Sequence, residues 1–211
     1  MHHYEGTKNI ALIGFSATGK SAVAKKVAGH LNWDSVDTDD DIVRLAGKTI
    51  PEIFEQEGED KFRQLECEVL KRACLREKVV ISTGGGVILN PENVKVLREA
   101  CVVICLEARV ETIYQRLLRD TLYSSNPVVR PLLAGKDPLE RIKKLKAFRQ
   151  PYYAVADWTV PTDNLTIEEV SQEVIRGWQY VSRSAKDAKQ AMETDIACTL
   201  EAASRRYPVF I

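Results

Sequence analysis

The segment Gly14-Phe15-Ser16-Ala17-Thr18-Gly19-Lys20-Ser21 constrains this chain more than any other stretch. It meets the phosphate-binding pattern Gly-x-x-x-x-Gly-Lys-Ser/Thr at every fixed position. Asn9–Ile13 just before it reads as a short buried strand, and Ser21–Ala28 just after it reads as a helix. A strand, a glycine turn and a helix start in that order aim backbone N–H groups and the positive end of the helix dipole at one point. A triphosphate suits that point. The glycines matter because a Cβ would block close approach or forbid the dihedrals required. Lys20 is expected to neutralise the β and γ phosphates, and the Ser21 hydroxyl to ligate Mg²⁺. Gly14, Ser16, Ala17, Thr18, Gly19, Lys20, Ser21 and Ala22 are thus the expected phosphate-binding residues.

The rest of the chain repeats the same alternation. Strand-like runs fall at Asn9–Ile13, Trp33–Asp37, Val79–Ser82, Val102–Glu107 and, more weakly, Asp157–Val160. Helical patterns lie at Ser21–Leu31, Asp40–Ala46, Ile50–Glu57, Glu59–Arg76, Asn90–Glu99, Arg109–Arg119, Pro138–Ala154 and Ile167–Val181. This predicts an α/β domain of three layers, αβα, around a parallel sheet. Ligands of such sheets sit at the C-terminal ends of the strands, so the residues just past each strand are the candidates.

Those residues are polar, glycine-rich or basic. Asp37-Thr38-Asp39 follows the second strand: either it simply ends the strand, with Asp39 or Asp40 capping the next helix, or Asp37 serves the water shell of Mg²⁺ and Asp39 a substrate hydroxyl. Gly84-Gly85-Gly86 follows the third strand, where three glycines cost backbone entropy unless amides must lie against a ligand. Arg63 and Glu66 share a helix face, as a surface ion pair or as a carboxylate that orients Arg63 toward an anionic substrate. Arg119 and Arg130 bracket a polar, proline-containing segment that reads either as a lid closing over a nucleotide or as a surface loop. Within the basic stretch Arg141–Arg149, Arg149 is the candidate second anion contact.

Composition excludes other chemistries. Thirty basic residues balance thirty acidic ones, which argues against a nucleic-acid partner. The three histidines, His2, His3 and His30, lie near no nucleophile or carboxylate motif, so a histidine triad or histidine-bound zinc is not expected. The five cysteines form neither a metal-ligand pattern nor a disulfide framework. No apolar run approaches a membrane span, and the start of the chain lacks the features of a signal peptide, so a cytoplasmic protein is expected.

Taken in order, Gly14–Ser21, Asp37–Asp39, Phe62–Glu66, Gly84–Gly86, Arg130–Leu133 and the Arg-x-Pro-x-Tyr-like element at Arg149–Tyr152 resemble shikimate kinase over roughly residues 8 to 180. The resemblance implies a five-stranded parallel sheet of order 2-3-1-4-5, of the nucleoside-monophosphate-kinase type, with a mobile lid. It implies transfer of the ATP γ-phosphoryl group to the 3-hydroxyl of shikimate, a step toward aromatic amino acids. By matching position it gives Asp39, Arg63, Gly85 and Arg149 to shikimate, with Gly84 and Gly86 shaping the loop, Glu66 supporting Arg63, and both arginines facing the carboxylate. It gives Ser21 and Asp37 to Mg²⁺, Lys20 and Arg130 to charge on the phosphoryl group, and Arg119 to the nucleotide from the lid. Asp39 either orients or deprotonates the hydroxyl. A monomer with no nucleic-acid or membrane partner is expected.

Two features depart from that pattern. The lid, about residues 119–131, reads as longer than usual in the family, and the base-contacting residues are placed only as Asp163–Thr166. The kinase-like domain is expected to span residues 1–181, with substrate-binding helices over about 38–66. Ser182–Asp187 reads as a linker and Tyr207–Ile211 as a strand. That strand either opens a second, truncated domain, loosely like the start of dehydroquinate synthase, or belongs to a tail docked on the kinase. Competing readings are another small-molecule kinase, of gluconate or a nucleotide, and a nucleotide-binding module without catalysis. The latter would be expected to lack Lys20, Asp39 or Arg130, all of which are present.

Overall fold

A computed structural model of the chain describes residues 8–123, 131–133 and 137–204. Its centre is a sheet of five parallel strands: β1 (Asn9–Ile13), β2 (Asp34–Asp37), β3 (Val79–Ser82), β4 (Cys101–Glu107) and β5 (Trp158–Pro161). Their order is β2-β3-β1-β4-β5, every neighbouring pair parallel, as expected for the three-layer fold. Alternate side chains of a strand point to opposite faces. Ala11 and Ile13 of β1 and Val103 and Cys105 of β4 enter one core. Ile10, Leu12, Val102, Ile104 and Leu106 enter the other. Both faces are covered, so these strands read as continuous apolar runs.

On the second face lie α1 (Lys20–Leu31) and α8 (Ile167–Ser204), with Trp178 of α8 fully buried and its indole N–H donating to the Lys8 carbonyl, 3.2 Å away. Trp33, expected to open β2, instead packs edge-on against Trp178, ring centres 5.2 Å apart. On the first face lie α5 (Pro91–Ala100), α6 (Val110–Tyr123) and α7 (Pro138–Arg149). Between β2 and β3 the chain adds α2 (Thr38–Ala46), α3 (Ile50–Gln56) and α4 (Gly58–Cys74). Ile42, Ile53, Phe62, Leu65 and Val69 give these three helices a small core of their own.

Two elements differ from expectation. The helix expected over Pro138–Ala154 ends at Arg149 and becomes a 3₁₀ turn over Gln150–Val155, because Pro151 has no N–H to continue the ladder. The linker expected at Ser182–Asp187 is helical: α8 runs unbroken to Ser204. That stretch holds no glycine or proline, and serine costs a helix little. The Ser184 hydroxyl donates back to the Tyr180 carbonyl at 3.1 Å, which satisfies it inside the helix. The Tyr207–Ile211 strand expectation lies outside the described residues.

Candidate active site

The loop after β1 is fixed by backbone geometry. Gly14 has φ +138°, and a Cβ there would stand 2.3 Å from the Leu106 carbonyl oxygen at the end of β4. Gly19 has φ +96° and sits at the N-cap of α1, with no side chain capping that end. The first-turn N–H groups of α1 are therefore left to accept an anion. Ala17 takes a left-handed φ of 60°, uncommon for a residue with a Cβ. Thr18 Oγ donates to the Phe15 carbonyl at 2.9 Å and closes the turn.

Lys20 is buried. Its ammonium donates to the Gly14 and Phe15 carbonyls at 2.9 and 2.8 Å, so it curls over its own loop. Burial lowers its pKa from 10.5 to about 8, against the raising influence of Asp39 and Asp37. Asp39 shifts the other way, from 3.8 to about 6. Burial is the main cause and Asp37 adds to it, while Lys20 opposes. A carboxyl poised near neutrality beside a buried ammonium is the kind of pair that active sites assemble.

β2 and β3 bring the remaining acceptors to the same rim. Asp37 and Ser82 are register partners at the strand ends, and Ser82 Oγ lies 3.3 Å from Ser21 Oγ. Asp37 also caps α2, its Oδ1 accepting the Asp39 N–H at 3.0 Å, so the cap is Asp37 and not Asp39 or Asp40. Ser16 to Ala22, Asp37, Asp39, Ser82, Thr83 and Gly85 line one cavity of about 650 Å³. Arg119, Leu165 and Thr166 close its far side. Asp163 does not line it; its Oδ1 accepts the Arg109 N–H at 2.8 Å.

The glycine loop joins this cavity to the substrate helices. A Cβ on Gly84 would stand 2.9 Å from Asp39 Oδ1 and 3.3 Å from Glu66 Oε1. On Gly85 it would stand 3.4 Å from both Arg149 Nη1 and the Ser16 N–H nitrogen. On Gly86 it would stand 3.0 Å from Arg63 Nη1. So Asp39, Arg63, Glu66 and Arg149, scattered over 110 residues of sequence, surround three consecutive glycines. Glu66 Oε2 accepts from Arg63 Nη1 at 2.9 Å, and Glu59 holds the other side of the guanidinium at 3.0 Å. Burial raises the Glu66 pKa, and the Arg63 and Arg149 charges oppose that rise. Its Oε1 and Arg149 Nε are buried with no hydrogen-bond partner among the described residues.

Arg130 lies outside the described residues, as does most of the expected lid; Arg119 stands exposed on α6. Sequence reading missed Arg116. Its guanidinium donates to the carbonyl of the strained Ala17 at 3.3 Å and to Thr162 Oγ and O at 3.0 and 2.5 Å, tying the phosphate loop to the end of β5. It also missed Thr38, whose hydroxyl accepts the Gly84 N–H at 3.2 Å, and Tyr153, whose hydroxyl donates to the Gly85 carbonyl at 3.0 Å. Helical spacing from Val110 and Ile113, which pack into the first core, was the only signal that set Arg116 apart from Arg119.

The chain is similar to known proteins in sequence and in fold. A family model described as shikimate kinase matches residues 16–179. A shikimate kinase of Caldanaerobacter subterraneus subsp. tengcongensis is 45% identical over 171 residues, covering 81% of this chain and 96% of that protein. The structure of shikimate kinase from Acinetobacter baumannii in complex with shikimate superposes with a TM-score of 0.74 at 34% identity, over 82% of this chain and 93% of that one. Shikimate kinase from Aquifex aeolicus gives 0.66 at 33% identity, over 81% and 96%.

Proposed function

The chain belongs to the shikimate kinase family, and we propose that the glycine loop is where its two substrates meet. The protein is an ATP-dependent kinase that makes shikimate 3-phosphate on the route to aromatic amino acids. One observation carries the site assignment: a Cβ on Gly85 would stand equally far, 3.4 Å, from Arg149 Nη1 and the Ser16 amide nitrogen, so an arginine and the phosphate loop flank a single point.

On one side of that point, Ser16 to Ala22 would hold the ATP phosphates, with Gly14 letting the loop turn against β4. Lys20 would leave the loop carbonyls for the β and γ phosphates. Arg119 and Arg130 would bring further positive charge. On the other side Arg63 and Arg149 would face the shikimate carboxylate, because a guanidinium fork matches a carboxylate. Glu66 would hold Arg63 in place. Asp39 would accept the hydrogen of the reacting hydroxyl, and its raised pKa suits both orientation and proton removal. The reaction needs positioning and charge stabilisation more than covalent chemistry.

Mg²⁺ fits the residues present. The Ser21 and Ser82 hydroxyls and the Asp37 carboxylate are hard oxygen donors gathered at one rim. Among the described residues no cluster of three or more histidine, cysteine or acidic side chains forms an all-protein cage, which suits an ion that keeps water and phosphate ligands. Ser21 directly and Asp37 through water would hold it. When bound, Mg²⁺ neutralises charge on the phosphate oxygens.

Action as a monomer in the cytoplasm belongs to the same proposal; the free thiols Cys67, Cys74, Cys101 and Cys105 fit a reducing compartment. The kinase unit would end near Val181, two residues past the end of the family match at residue 179, with the rest of α8 an appendage. The test is ADP release from MgATP with shikimate, gluconate or a nucleoside monophosphate as acceptor. Release that depends on shikimate alone is expected; release driven by either of the others would overturn the substrate assignment.

A further inference from the structure

The groups assigned to the reaction above would each face a ligand. Tyr153 would not, yet it grips the loop on which they converge. It is 4% exposed, within the 3₁₀ turn Gln150–Val155 that follows α7. Its ring belongs to the first core, with Phe15, Val87 and Ile88. Its hydroxyl donates to the Gly85 carbonyl at 3.0 Å, and Arg149 Nη1 donates to the same oxygen at 3.3 Å. Burial raises the Tyr153 pKa, so the phenol remains a neutral donor at physiological pH.

The other polar groups of the loop are engaged differently. The Gly84 N–H goes to Thr38 Oγ, and the Gly84 and Gly86 carbonyls close turns to the Val87 and Leu89 N–H groups at 3.3 and 3.0 Å. A peptide unit is planar, so fixing the Gly85 carbonyl also fixes the direction of the Gly86 N–H on the far side of that plane. Glycine restrains its own dihedrals least, and a run of three needs an external anchor.

We propose that Tyr153 is a positioning residue for shikimate: through the Gly85 carbonyl it sets the Gly85–Gly86 peptide plane and, with it, the seat of Arg149. The inference rests on the substrate assignment made above. It separates Tyr153 from its neighbour Tyr152, which is 41% exposed and packs on Phe148 at the surface.

Tyr153→Phe keeps the ring in the core and removes only the hydroxyl. In steady-state kinetics the KM for shikimate should rise about five- to tenfold, the loss of one hydrogen bond, with kcat and the KM for ATP within about twofold. In glycine-labelled protein without ligands, the Gly85 and Gly86 amide NMR signals should move or broaden, while Gly47 and Gly177 stay in place. Should Tyr153→Phe fold poorly, the Tyr153 hydroxyl proton of the wild-type protein supplies the comparison: it is buried and bonded to the Gly85 carbonyl, so a slowly exchanging signal is expected. Unmoved glycine signals, or rapid exchange at the Tyr153 hydroxyl, overturn the proposal whatever the substrate proves to be. An unchanged shikimate KM in an enzyme that turns over shikimate also overturns it. If wild-type protein fails on shikimate, the substrate assignment falls, and the glycine signals still decide the role of Tyr153.

Discussion

Gly84 leaves no room for a side chain beside Asp39: a Cβ there would lie 2.9 Å from Asp39 Oδ1. Its φ is not in the left-handed region, so Gly84→Ala strains no backbone and acts by pushing aside the Asp39 carboxylate and, less, the Glu66 carboxylate at 3.3 Å. Moving a flexible side chain costs about 1 kcal/mol of stability. A misplaced catalytic group costs far more in rate. Gly84→Ala should lower kcat roughly 10²-fold while the unfolding midpoint shifts only a few degrees. Parallel kinetics and calorimetry check the split; equal damage to both would mean that the loop is structural.

Asp39 should cost the empty enzyme stability. Burial lifts its folded pKa to about 6, with Asp37 adding and Lys20 opposing, above an unfolded value near 3.8. A carboxyl whose folded pKa is raised favours folding in its protonated form, fully present below about pH 4, and that contribution is lost as pH rises through about 6. Asp39→Asn should therefore be more stable than wild type at pH 7.5 by roughly 1–3 kcal/mol, the difference vanishing by about pH 4. Denaturant unfolding across that range measures it. The same variant should lose most of its activity.

Lys20→Ala should reduce kcat by about 10²–10³-fold, the usual consequence of deleting one charge-stabilising donor. Its shikimate KM should stay near the wild-type value, since among the described residues the ammonium donates only to the Gly14 and Phe15 carbonyls of the phosphate loop. Initial rates at saturating MgATP make the comparison.

Arg149→Ala should raise the shikimate KM about 10- to 100-fold, the range for a hydrogen bond to a charged group. The KM for ATP should move little, although Arg149 stacks over Phe15 of the phosphate loop at 5.6 Å. Untouched shikimate kinetics would remove Arg149 from the substrate site.

With ATP varied at shikimate well below its KM, kcat/KM reports the free enzyme and should follow a bell in pH. Its acid limb should fall near 6, where Asp39 protonates, and its basic limb near 8, where Lys20 loses its proton. Asp39→Asn should flatten the acid limb. A profile that keeps that limb in Asp39→Asn would assign it to another group.

Much of the site could be read from residue types at fixed spacing. Gly14 and Gly19 have positive φ, and Gly84 and Gly86 lie against Asp39 and Arg63, so few other residues tolerate those positions. Their convergence followed from parallel strands ending on one rim. Whether Arg63 and Glu66 were a surface pair could not be read locally; the answer depends on Gly86 and Gly84 coming to lie against them from β3. Arg116 was hidden because its partners, Ala17 and Thr162, lie 99 and 46 residues away. Which of Tyr152 and Tyr153 is buried turns on the change from α to 3₁₀ after Arg149, a switch of period that a helical pattern over Pro138–Ala154 conceals. The serines of 182–184 suggested a linker where backbone continuity in α8 prevailed.

The most direct test of the whole account is the identity of the product. Proton–phosphorus correlation NMR on the reaction of the wild-type protein with MgATP and shikimate should place the new phosphate on the 3-oxygen, in an amount equal to the ADP formed. Phosphate on another hydroxyl, or ADP formed without any phosphorylated shikimate, would contradict it.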